Sequence, residues 1–131
     1  MTHRMPAALA LSALLIGTAA AQTSPREHRS SAMTYVNVRA NLIAQGYRPL
    51  RFPASEIAMR CSARTEICNA YPESESCAGT GQGECLFVFA APRGGYFTVT
   101  TRGEALSELH VIRSGPASAR ESREYRGVPP G

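Results

Sequence analysis

The residues best suited to chemistry lie between Cys61 and Cys85, which holds all four cysteines of the chain: Cys61, Cys68, Cys77 and Cys85. Thiols at such spacings can oxidise to disulfides or ligate a metal. The pairs lack the C-x-x-C spacing that presents two thiolates to one zinc ion, so disulfides are the expected state and no metal is assigned. Loop entropy does not choose the pairing. Closing a segment of eight or nine residues stabilises by roughly 2.5 kcal/mol, and one of 25 by only about 1 kcal/mol more. Short segments bring α-carbons together easily, which favours Cys61–Cys68 with Cys77–Cys85 and leaves Cys61–Cys85 with Cys68–Cys77 as the second pattern.

Inside the second cysteine pair lies Gly79-Thr80-Gly81-Gln82-Gly83. Glycine backbones can gather amides around a phosphate, but the Lys-Ser/Thr ending and the following helix of a phosphate loop are missing. A tight turn with left-handed glycines is the simpler reading, and its exposed surface, Gly79, Thr80, Gly81, Gln82 and Gly83, is the candidate partner-contact loop. Between the pairs, Glu73 and Glu75 sit in a turn-rich connector after Tyr71-Pro72, where both are expected to be exposed rather than poised as an acid–base pair. His110, beside Glu108, falls between Leu109 and Val111 and is expected on the outer face of a strand. A nucleophile elbow of the G-x-S-x-G type is missing, and so is Asp. No catalytic residue and no cofactor site are assigned.

Composition places these residues in context. Residues 1–21 carry a short basic start, an apolar run and Ala19-Ala20-Ala21 before Gln22, the pattern of a cleavable export signal. Cleavage would leave no stable membrane anchor. A polar leader, 22–32, follows. All basic side chains are Arg and all acidic ones Glu, as codon bias alone would produce. A net charge of +4 with scattered arginines gives no reason to expect a nucleic-acid partner. A periplasmic or secreted location follows, and in that oxidising setting two disulfides help a small domain whose core is limited.

The elements that must position these residues are legible by periodicity. Tyr35, Val38 and Leu42 mark a helix over 33–45, with Met33, Val36, Ala40 and Ile43 widening its buried face and Arg39 turned to solvent or a partner. Gly46 before Tyr47 and Pro49 should end it. Pro53 to Met59 reads as a turn or a short helix. Cys85 to Ala91 is apolar on both faces and reads as a central strand. Pro92-Arg93-Gly94-Gly95 is a turn, Tyr96 to Arg102 the returning strand, and 107–113 a third strand. The expected fold is α+β: one N-terminal helix on a three- to four-stranded antiparallel sheet, over 33–114, with 115–131 as a disordered tail.

Gly46-Tyr47-Arg48-Pro49, Tyr71-Pro72-Glu73, Cys77-Ala78-Gly79-Thr80-Gly81, Cys85-Leu86-Phe87 and Thr101-Arg102-Gly103-Glu104 together resemble a family of small secreted proteins of Gram-negative bacteria. That resemblance covers about the middle two-thirds of the chain. It supports these boundaries and implies no activity. A helix leading into an antiparallel sheet is also similar, at the level of fold alone, to periplasmic lipoprotein and β-lactamase-inhibitor-like domains. The expected function is a non-catalytic binding or inhibitory module acting on another envelope protein. A small envelope hydrolase and a structural stress protein of the periplasm are the alternatives.

Overall fold

Strand β3, Cys85–Ala90, is the axis of the molecule. Its alternate side chains supply both cores: Phe87 and Phe89 face one way and Val88 the other, all fully buried. One edge of β3 pairs along its whole length with β4, Tyr96–Arg102, in antiparallel register from Cys85↔Thr101 to Ala90↔Tyr96. Its other edge is shared end to end. Strand β1, Arg48–Pro49, pairs near one end (Pro49↔Phe89), and β2, Ser74–Cys77, pairs at the other (Cys77↔Cys85). Strand β5, His110–Pro116, completes a five-stranded antiparallel sheet beside β4. These relations come from a computed structural model that describes residues 33–62 and 64–131. The expected signal, 1–21, and leader, 22–32, lie outside the described residues.

Helix α1, Tyr35–Ala44, covers one face. Gly46 at φ +88° follows it, and the Tyr47 amide donates back to the Leu42 carbonyl, so the left-handed stop acts as expected. Tyr35 and Leu42 enter the main core with Phe87, Phe89, Val99, Leu109 and Val111. The broader apolar face does not. Met33, Val36 and Ile43 remain exposed, because a single helix on a sheet buries only a narrow stripe of its circumference.

A 3-10 turn, Ala54–Glu56, leads into the short helix α2, Ile57–Cys61, and α3, Thr65–Ala70, follows. The bridges are Cys61–Cys68 and Cys77–Cys85. The first ties α2 to α3, and the second links directly opposed residues of β2 and β3, whose α-carbons are 4.0 Å apart. The Sγ atoms of Cys61, Cys68 and Cys77 lie within 4.8 Å of one another, so the two bridges stack as one buried staple.

Two further expectations are corrected. The strand expected from Ser107 starts at His110, because Leu106–Glu108 forms a 3-10 turn that Gly103 (φ +142°) accommodates by close approach to the Glu108 carbonyl. The tail is also ordered. Strand β5 runs on to Pro116, and helix α4, Ala119–Tyr125, starts at a reciprocal capping box between Ser118 and Glu121. It sets Tyr125 against Leu50 and Val88 in a second core, packed with Phe52, Ala90, Tyr96 and Val128. The sheet is therefore covered on both faces. Among the described residues no helix is long and apolar enough to cross a membrane.

Candidate functional site

The loop that sequence singles out, Ala78 to Glu84, closes the β2–β3 hairpin. The Cys77–Cys85 bridge pins its base, and the Ala78 amide donates to the Glu84 carbonyl at 2.7 Å just above it. From there Gly79, Thr80, Gly81 and Gln82 are exposed, whereas Gly83 is buried. Gly81 and Gly83 adopt left-handed φ values of +74° and +64°, where a side chain would be strained. Among the described residues, one backbone bond from elsewhere reaches this stretch, from the Gly103 amide to the Gln82 carbonyl at 3.3 Å. The amides from Gly79 to Gly83 donate no bond to any described residue.

Arg64 lies beneath this loop. Ser62, at φ +45°, turns the chain out of α2, and the Arg64 amide donates back to the Cys61 carbonyl. The Cys61–Cys68 bridge then fixes Arg64 between the two short helices. Its side chain crosses to the sheet, where Nη2 donates to the carbonyls of Gly103 and Glu104. Nη1 is buried without a hydrogen-bond acceptor. It packs against Gly83, where a Cβ would approach within 2.8 Å, so glycine is required there for space as well as for φ. Arg64 is 8 % exposed and has no carboxylate within ion-pair distance among the described residues. Arg64, Glu66, Ala78 to Gly81, Gly83 and Glu104 enclose a cleft of about 260 Å³. A buried guanidinium lacking a counter-charge and one acceptor is a costly arrangement in a resting fold, by several kcal/mol on general grounds. Sequence reasoning missed it, because the partners of Arg64 are about 40 positions away in the chain.

The second polar cluster has a buried centre and a half-buried arginine at its edge. Glu73 is fully buried, against the expectation of an exposed pair with Glu75. Its Oε1 accepts from the Tyr35 hydroxyl at 2.8 Å and from Arg39 Nε at 2.5 Å. Tyr35 stacks on Phe87 at 3.8 Å between ring centroids, Tyr71 meets Tyr35 edge-on, and the Arg39 guanidinium lies over the Tyr71 ring. Burial, reinforced by the adjacent Glu73 charge, raises the Tyr35 hydroxyl well above its ordinary pKa. This arrangement ties α1 to the connector that leads into β2. It leaves no room for a substrate beside the carboxylate.

The remaining sequence candidates stay apart. His110 is exposed at the start of β5, in register with Arg102, and Glu108 is exposed in the preceding turn. The sulfurs of Cys61, Cys68 and Cys77 lie close together, but all four cysteines are bonded in pairs. A separate cleft of about 430 Å³ lies between Phe52, Ile57, Pro72 and Pro129, with Arg60 on its wall. Arg60 is committed to the carbonyls of Ser74 and Pro53, which leaves its Nη groups engaged. Comparison with protein-family models, with curated proteins and with solved structures finds no match to this chain.

Proposed function

We propose that this protein is a non-catalytic binding module, exported to the periplasm or secreted, that acts on another protein of the cell envelope through the loop from Ala78 to Glu84. The observation that carries this reading is the loop's construction: exposed glycine-rich backbone, clamped at its base by a disulfide, over a buried arginine without a counter-charge. Pinning both ends of a loop before docking reduces the conformational entropy lost on binding, so a small contact area can still give useful affinity. Two disulfides are compatible with an oxidising compartment. The export-signal pattern and the resemblance to small secreted proteins support the same location.

The test compares the mature wild-type protein with Thr80→Trp as bait in an envelope extract. Thr80 is exposed at the loop, so the bulky variant should keep the fold and lose the partner. Equal recovery of the same protein by both baits would place the contact elsewhere.

A further inference from the structure

We infer that the cleft beneath the loop is a carboxylate-binding site, and that the partner protein enters it with a single carboxylate group. This inference rests on the reading of the loop as the contact surface and specifies what the loop recognises. Two independent features point to it. Arg64 brings a positive charge under the loop; its Nη2 is held by two carbonyls, while among the described residues its Nη1 has no acceptor and no carboxylate lies within ion-pair distance. Gly79, Thr80, Gly81 and Gly83 line the same cleft, and the amides from Gly79 to Gly83 donate to no acceptor among the described residues. Successive free amides around glycines at positive φ form a concave donor surface that favours an anion, and a guanidinium behind it adds charge.

The other charges in the cleft decide which anion fits. Glu66 and Glu104 also line it, and both are exposed at its rim. They oppose a dianion such as phosphate and tolerate one carboxylate placed over Arg64. Gly83 lies against Nη1, so the carboxylate meets the loop amides and feels the arginine's charge across Gly83. The volume of about 260 Å³ admits one acidic side chain or one chain terminus.

The experiment is an amide-resolved NMR titration of the disulfide-intact mature protein with two peptide probes, at fixed ionic strength. One probe, acetyl-Gly-Glu-Gly-amide, offers only a side-chain carboxylate; the other, acetyl-triglycine, offers only a terminal one. Saturable shifts of the Gly79–Gly83 amides, at millimolar concentrations of either probe, are expected, and the tighter probe identifies the source. Glu104→Gln, a change at an exposed rim side chain, should tighten binding severalfold, and Arg64→Met should weaken it at least tenfold. Because Arg64→Met also removes the bonds to residues 103 and 104, Glu104→Gln and the wild-type shifts stand as readouts that do not depend on it. Shifts that are linear in probe, or that equimolar chloride reproduces, overturn the inference. Loss of carboxylate binding with the Thr80→Trp effect intact would refute only the ligand class; loss of both would refute the loop as the contact surface.

Discussion

At the scale of single residues, the fold places its polar groups where the chain order gives little warning. Glu73 has the clearest consequence. Replacing it with Ala leaves the buried Tyr35 hydroxyl and the half-buried Arg39 guanidinium without their shared acceptor, which should cost about 1–3 kcal/mol by denaturant unfolding. A loss below about 1 kcal/mol would mean that the cluster is solvated. Its burial was not legible because the partners lie 34 and 38 positions earlier, and a Glu in a turn-rich connector looks solvated until Tyr35 and Arg39 of α1 reach it. Arg64 escaped notice for the same reason. The glycines were legible as turn residues but not in their ranking. Gly81 has nothing within 4 Å of a Cβ, so Gly81→Ala should cost only the roughly 1–2 kcal/mol of left-handed strain. Gly103→Ala adds collision with the Glu108 carbonyl and should destabilise considerably more, a difference that paired thermal melts would measure.

Among elements, periodicity revealed those that bury a regular stripe. Helix α1, the double-faced β3 and the β3–β4 turn stand where Tyr35, Leu42, Phe87, Phe89 and Gly94-Gly95 put them. The pairing of the cysteines also follows the sequential pattern that short spacing favours. Helix α4 is different. It is only two turns long, it buries Tyr125 alone, and its polar Arg-Glu sequence resembles a solvated tail. Its one readable mark was Ser118-Ala-Arg-Glu121, a capping-box spacing outside any apolar run. Tyr125 makes the element more than decoration. Tyr125→Ala, by opening a void against Leu50 and Val88, should destabilise by about 3–5 kcal/mol, and unfolding that leaves the midpoint unchanged would show that the second core contributes nothing.

For the molecule as a whole, a sheet covered on both faces makes stability respond to alkaline pH. Burial, with Glu75 and other carboxylates adding to it, pushes the Tyr125 hydroxyl up to about 12, and Tyr35 is raised as well. Since the folded state holds these protons more tightly than the unfolded chain, whose tyrosines titrate near about 10, their contribution is fully present below about pH 10. It is lost as pH rises through the folded value. Denaturant unfolding between pH 9 and 12 should show that decline, with Tyr125→Phe flattening part of it. This same two-sided support holds β3 in place, and with it the hairpin whose tip reaches solvent as the loop over Arg64. Site-specific photo-crosslinking in envelope extract tests that claim most directly, with a benzophenone side chain at Thr80 and, as the control outside the loop, at exposed Ile112 on β5. One discrete adduct is expected from position 80, none of that species from position 112, and loss of the adduct with Arg64→Met. The same adduct from both positions, or from position 112 alone, would contradict it.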